Sequence, residues 1–268
     1  MIKMIATDMD GTFLSDEKKF NRPRFQTMLT EMERQGVHFV AASGNQLWHL
    51  QEVFSGLEGE ITYVAENGAV IVANGQTLHA DEIPSVLWHE VIKLVREQPM
   101  FDGVHVIISG QNGAYTEMSA DSSRFAASNY FYSHFQLVPD LLDVQDTIFK
   151  MDLSWEHVNI YEKADYFNNH FDGQLRATSS GLGGMDVIMP HVHKAYGLEF
   201  LQKQWQITPE ETLAFGDNGN DIEMLQFAKY GYAMKNAAPE VLKAAPFVTE
   251  WNNNEEGVLN TMAAFLKR

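Results

Sequence analysis

Asp8-Met9-Asp10-Gly11-Thr12 follows directly on a short apolar run near the start of the chain. Side chains two apart on a strand share a face, so a strand continued through this segment presents the carboxylates of Asp8 and Asp10 to one site. Gly11 then allows an abrupt turn, and Thr12 can hydrogen-bond the loop backbone. A second acidic set, Gly216-Asp217-Asn218-Gly219-Asn220-Asp221, also follows an apolar run. Carboxylates crowded at a strand end repel one another, and a hard cation bound through oxygens relieves that cost; magnesium is the expected ion. Ser43-Gly44-Asn45 offers a hydroxyl and backbone amides to phosphate oxygens, and the Lys194 ammonium can point at the same anion. Each piece also has a plainer reading: a polar turn after a buried strand, an Asn/Gly/Asp turn that caps a helix, a turn serine, a solvated surface lysine. Their value lies in forming a set.

Such a set needs elements that bring it to one place. Met1 to Asp8 reads as a buried strand that starts almost at residue 1. Asn21 can cap a helix, Pro23 can occupy its first turn, Phe25, Met28, Leu29 and Met32 recur at helical spacing, and Gly36 stops it. Val37 to Ala42 is then a second strand. Strand, helix, strand is the rhythm of a parallel α/β sheet, whose ligands gather beyond the carboxyl ends of the strands. The rhythm returns late: a helix over 198–205, a strand over 212–216, a helix over 222–229 and a strand over 231–234. Asn220 and Glu223 suggest a capping box at the start of the third of these. An amphipathic helix from Gly257 closes the chain.

Between the halves the texture changes. Short strands surround Asn67-Gly68 and Asn74-Gly75, both hairpin-turn dipeptides. Strands and helices then mix, with a helix expected over 157–167 and two final strands around Gly181 to Gly184. We expect a Rossmann-like parallel-sheet α/β core over 1–81 and 185–268 and an α+β domain over 82–184 inserted into it.

The full chain of 268 residues has 36 Asp and Glu against 19 Lys and Arg, a formal net charge of −17, 45% hydrophobic residues and no cysteine. It is long enough to bury a core. The absence of cysteine removes disulfides, thiolate nucleophiles and cysteine-ligated metal sites. Strong negative charge disfavours nucleic acid and anionic membranes as partners. No apolar run is long enough to span a bilayer and the N-terminal residues do not read as a secretory signal, so a cytoplasmic location is the expectation.

The order Asp8-x-Asp10-Gly11-Thr12, Ser43, Lys194, then Gly216-Asp217-x-x-Asn220-Asp221 resembles the four motifs of the haloacid dehalogenase-like hydrolases. Glu66-Asn67-Gly68-Ala69, the insertion between the Ser and Lys motifs, and Asn253-Asn254-Glu255-Glu256-Gly257 are similar to the Cof-type subgroup, which includes bacterial sugar phosphatases with an α/β cap. The resemblance implies a two-step phosphoryl transfer from a small phosphorylated metabolite. Asp8 would be the nucleophile, and Asp10 the acid and then the base. Ser43 and Lys194 would hold the phosphoryl oxygens, with Gly44, Asn45 and Asn220 contributing to phosphate binding. Mg²⁺ would be held by Asp8, the Asp10 carbonyl and Asp217, with Asp221 in its outer shell or orienting Lys194. A cap closed over the site would admit small metabolites.

Two other readings share these residues: a phosphomutase or phosphotransferase on sugar phosphates, and a regulatory module switched by aspartyl phosphorylation. Against the second stand Asp10 beside the nucleophile and an insertion of this size. His191-Val192-His193 could be a transition-metal pair but reads better as a segment leading to Lys194, since no third ligand is apparent. Gly181-Leu182-Gly183-Gly184 leads into a strand rather than a helix, so a tight turn at the return to the core is preferred to a nucleotide loop.

Overall fold

The computed structural model describes residues 1–156, 159–181 and 183–266. Its contacts divide into two compact units, one comprising Met1–Ser43, Val53–His79 and His193–Arg268, the other Gly44–Glu52 and Ala80–Val192. Along the chain run β1 (Met4–Thr7), α1 (Arg22–Gln35), β2 (His38–Ala42), α2 (Leu47–Val53), β3 (Thr62–Ala65), β4 (Val70–Ala73) and β5 (Gln76–Ala80). The intervening stretch holds α3 (Ser85–Glu97), β6 (His105–Gly110), β7 (Ala114–Thr116), α4 (Ser123–Ser128), β8 (Phe135–Leu137), β9 (Ile148–Ser154), α5 (Tyr161–Phe171), β10 (Arg176–Gly181) and β11 (Gly184–Ile188). The return consists of α6 (Lys194–Trp205), β12 (Thr212–Gly216), α7 (Ile222–Phe227), β13 (Tyr230–Ala233), α8 (Pro239–Ala244), β14 (Phe247–Val248) and α9 (Gly257–Leu266).

The first sheet has the order β14-β13-β12-β1-β2-β3-β4-β5. From β14 to β3 every pair is parallel, and β3 to β4 is an antiparallel hairpin. β1 lies between β12 and β2, where the strand order reverses, and carboxyl ends at such a switch point are where open α/β sheets bind ligands. All four residues of β1 are buried, as a strand covered on both faces requires. The signals of the first helix act as read: the Asn21 side chain accepts from the Arg24 amide, Phe25, Met28, Leu29 and Met32 are buried, and Gly36 ends the helix at φ 68°.

The second sheet has the order β10-β11-β9-β6-β7-β8. One face packs with α3 and α5: Ile108, Met151, Leu153, Met185 and Val187 share a core with Trp88, Val91, Phe167 and Phe171. β11 pairs with both β10 and β9. The glycines near 181–184 therefore form a hairpin turn within this sheet, not the return to the first unit, and residues 185–188 belong to the inserted body. Leu182, and residues 157–158 at the start of the helix expected over 157–167, lie outside the described residues; the helix observed there is α5. Among the described residues no helix is long and apolar enough to cross a membrane.

Candidate active site

β1 stops at Thr7, so the two-residue alternation does not extend over Asp8 and Asp10. Asp8 continues the strand direction through its amide, which donates to the Phe215 carbonyl at 2.9 Å, and the chain then turns through Gly11 at φ 76°. Among the described residues, the carboxylates that converge are those of Asp8, Asp217 and Asp221, one oxygen of each lying within 4.8 Å of the others. The Asp10 carboxylate is not one of these three; it takes the Lys18 ammonium at 2.6 Å.

The loop after β12 is shaped by its own side chains. Asn218 and Asp221 form a capping box, two residues before the one expected at Asn220 and Glu223. Asp221 Oδ2 accepts from the amides of Asp217 at 2.9 Å and Asn218 at 3.0 Å, which leaves Oδ1 for the Lys194 ammonium at 2.6 Å. The same ammonium donates to Asp8 Oδ1 at 2.5 Å. Lys194 is the first residue of α6, whose N-cap is His193, with Nδ1 accepting from the Tyr196 amide. Thr12 Oγ1 donates to Asp217 Oδ1 at 2.7 Å and so fixes the third carboxylate.

One ammonium serves three carboxylates. Burial, and then the charges of Asp221 and Asp217, push Asp8 well above the usual carboxylate range against the pull of Lys194. Burial and the charge of Asp221 push Asp217 up to about 6, while the Thr12 bond opposes the rise. Burial works to lower Lys194, but Asp221 and Asp8 outweigh it and hold the ammonium above its ordinary value. An all-oxygen donor set with surplus negative charge, out of water, fits a hard divalent cation. Asp8 and Asp217 are the residues that would hold it, with Asp221 behind them.

Ser43 is buried just past β2. The pairing of Thr7 with Ala41 puts it at the carboxyl end of the strand beside β1. Its carbonyl accepts from the Asn67 amide at 3.0 Å, and Asn67 Oδ1 accepts from Asn220 Nδ2 at 3.1 Å. Gly44 and Asn45 follow in the stretch that groups with the second unit, where the Lys150 ammonium bonds the Gly44 carbonyl.

Asn67 was not among the site residues expected from the sequence. Glu66, Asn67 and Gly68 all have positive φ, which suits Asn and Gly, and a Cβ on Gly68 would stand 2.4 Å from the His193 carbonyl oxygen. Glycine there lets the β3–β4 turn approach the residue before Lys194. Asn253 donates to the Leu14 carbonyl and its amide to Asn236, which in turn bonds the Gly11 carbonyl, so the late Asn-rich segment braces the turn after Asp8. The signal for both was the Glu66–Ala69 and Asn253–Gly257 segments, read as family marks rather than as site residues. His191 faces Asp81 at 3.0 Å while His193 caps α6, so the two imidazoles serve separate ends.

The sequence model of the haloacid dehalogenase-like hydrolases matches residues 5–262. The chain is 38% identical over 266 residues to the 5-amino-6-(5-phospho-D-ribitylamino)uracil phosphatase YbjI of Escherichia coli, covering 99% of this chain and 97% of that one. It is 26% identical to the phosphatase YwpJ of Bacillus subtilis over 99% of this chain and the whole of that protein. The crystal structure of SMU.1108c from Streptococcus mutans superposes with a TM-score of 0.95 at 32% identity over the whole of both chains. With a match of that extent over the four strand-end and helix-start motifs, the chain belongs to the Cof-type haloacid dehalogenase-like hydrolases and is a phosphoric monoester hydrolase.

Proposed function

We propose that the enzyme hydrolyses phosphate monoesters of small polyhydroxylated metabolites, sugar phosphates and their relatives, with Mg²⁺ and through a phosphorylated Asp8. The observation that carries this reading is the Asp8 carboxylate, buried, 2.5 Å from the Lys194 ammonium and grouped with Asp217 and Asp221. A carboxylate nucleophile approaching a phosphate dianion meets repulsion, and a fixed buried cation is what offsets it. The E. coli relative is named for a substrate with a 5-phospho-D-ribitylamino group, a phosphate on a hydroxyl-bearing chain.

In the first step an oxygen of Asp8 bonds to phosphorus, the ester bond breaks, and Asp10 gives the departing alkoxide a proton. In the second, Asp10 takes a proton from water as the water oxygen bonds to phosphorus and the Asp8–phosphorus bond breaks, which releases phosphate and restores the Asp8 carboxylate and the protonated Asp10. Lys194 donates to phosphoryl oxygens while Asp221 keeps it oriented, and the Ser43 hydroxyl with the amides of Gly44 and Asn45 receives the remaining oxygens. Asn220, through Asn67, holds the Ser43 loop in register with the loop after β12. Asp8, the Asp10 carbonyl and Asp217 would hold Mg²⁺, which would supply the positive charge that a dianionic ester requires.

Phosphate release from a panel of sugar and sugar-alcohol phosphates, with Mg²⁺ and with chelator, tests the reading. Turnover with Mg²⁺ that chelation abolishes is expected. Absence of release across the panel, or full release under chelation, sinks it.

A further inference from the structure

Lys194 owes its place to the start of α6, and several contacts within the first unit hold that start. His193 adopts the extended backbone of an N-cap, φ −162° and ψ 166°, and its Nδ1 accepts from the Tyr196 amide at 3.1 Å. The His193 carbonyl accepts from the Gly197 amide at 3.3 Å, which opens the helical bonding. The same carbonyl lies against Gly68, where a Cβ would stand 2.4 Å from its oxygen. In the same turn the Tyr196 hydroxyl meets Nε2 of His79, near the end of β5, at 3.0 Å. Lys194, 1% exposed, directs its ammonium from this turn to Asp8 Oδ1 and Asp221 Oδ1. A buried lysine so placed has little room to adjust, so a helix start that shifts carries the ammonium with it.

The residue type at the cap adds a further property. Ser, Thr, Asp and Asn cap helices through an oxygen that still accepts at any pH near neutrality. Histidine caps only as the neutral ring, with its proton on Nε2 and a lone pair on Nδ1. Protonation turns Nδ1 from acceptor to donor and orphans the Tyr196 amide. It also sets a cation at the positive end of the helix, one residue from the Lys194 ammonium. These effects share one sign. Beside Lys194 and Tyr196 on α6 itself, the titratable groups on the elements packed against this helix are Tyr63 of β3, Glu66 of the turn that carries Gly68, His79 of β5, Asp221 of the loop after β12 and Glu223 of α7. The carboxylates favour the charged ring and the cations oppose it, so together they set where the change falls and not its direction.

We propose that His193 is a positioning residue for Lys194, and that uptake of one proton by its ring uncaps α6, loosens the grip of Lys194 on phosphoryl oxygens and lowers turnover. The inference rests on the phosphatase reading above, in which Lys194 is the cation that receives those oxygens.

His193→Asn keeps an oxygen cap that does not titrate, and His193→Ala keeps none. The test follows kcat/KM for p-nitrophenyl phosphate at saturating Mg²⁺, from about pH 8 to about pH 5.5, in the full-length enzyme and both variants. At about pH 8, His193→Ala is expected to lose about tenfold, and His193→Asn to stand within about threefold of the unaltered enzyme. The ratio of His193→Asn to the unaltered enzyme should then climb at least about threefold on going to about pH 5.5, since an ordinary imidazole crosses its pKa in that interval. Asp8 and Asp217 titrate in both proteins and cancel in the ratio. Calorimetric binding of inorganic phosphate with Mg²⁺, which needs no turnover, should show the same climb. A smaller climb, or a failure of His193→Asn to restore what His193→Ala loses, overturns the proposal. If no ester is turned over while the phosphate-binding ratio climbs as expected, the phosphatase reading fails and the role of His193 stands.

Discussion

Thr12 Oγ1 donates to Asp217 Oδ1 at 2.7 Å, joining residues 205 positions apart. The bond ties the turn after β1 to the loop after β12, so the two acidic loops are held together before any ligand enters. It also restrains the rise of the Asp217 carboxyl above its usual range.

Thr12→Val keeps the shape and removes the donor. Asp217 should then rise beyond about 6, and a cation must displace a proton from more of the molecules near neutrality. Losing a partner that orients a metal ligand typically costs 10- to 100-fold in affinity, so the Mg²⁺ concentration for half-maximal turnover should rise about tenfold. The rise should be larger at pH 6 than at pH 8. Mg²⁺ titrations at both values check this, and an unmoved midpoint refutes it.

Gly11 adopts φ 76°, and a Cβ there would stand 2.5 Å from Asp217 Oδ2. Gly36 has a similar φ of 68°, with nothing within 4 Å of where a Cβ would go. Gly11→Ala should cost about 2 kcal/mol from strain and crowding and reduce kcat at least tenfold by moving Asp217. Gly36→Ala should cost about 1 kcal/mol and leave kcat in place. Denaturant melts with initial rates separate the two; equal activity losses would mean that crowding at Asp217 is not the cause.

Asp8 and Lys194 should behave oppositely towards stability. Asp8→Asn removes a buried charge that burial and two neighbouring carboxylates disfavour, so the fold should hold or gain about 1 kcal/mol while turnover drops at least a thousandfold. Lys194→Met leaves the carboxylates of Asp8 and Asp221 without the ammonium that both contact. Stripping a buried pair of one partner costs about 3–5 kcal/mol, so this variant should be inactive and strongly destabilised in the absence of Mg²⁺. Thermal melts and phosphate release decide the matter, and an Asp8→Asn variant that keeps substantial activity removes Asp8 from the nucleophile's role.

The convergence of Asp8, Lys194, Asp217 and Asp221 was legible because each stands at a strand end or helix start, where a linear motif fixes position within a residue or two. The first helix was legible for the same reason, its cap, apolar stripe and stop all being local. What could not be read depends on contacts between distant segments. The Asp10 carboxylate pairs with Lys18, and the strand ends at Thr7, three residues short of Asp10, so the alternation argument does not apply. The role of Asn67 rests on three consecutive positive-φ residues, and a hairpin dipeptide announces the turn without announcing its neighbours. Gly44–Glu52 groups with the inserted unit although it follows β2 directly, and β11 belongs there although a glycine cluster precedes it. Composition shifts mark where a chain turns, not which sheet it joins.

Asp152 gives the inserted unit a pH signature of its own. Its carboxyl rises from an unfolded value of 3.8 to about 6 in the folded chain, through burial first and the charge of Asp186 second. Between those values the folded state holds a proton that the unfolded state has lost. The stability this group contributes is therefore full below about pH 4, falls as pH climbs towards 6, and is level beyond. Asp152→Asn cannot lose a proton and escapes the fall. Its stability relative to the unaltered protein should climb between pH 4 and 6 and then stay constant, with a total change on the order of 1–3 kcal/mol. Denaturant melts from pH 4 to 8 in the absence of substrate measure the difference directly. A difference that is flat across pH 4–6, or that declines there, means that Asp152 is charged in the folded chain throughout and that Arg124 and Lys150 pay for its burial.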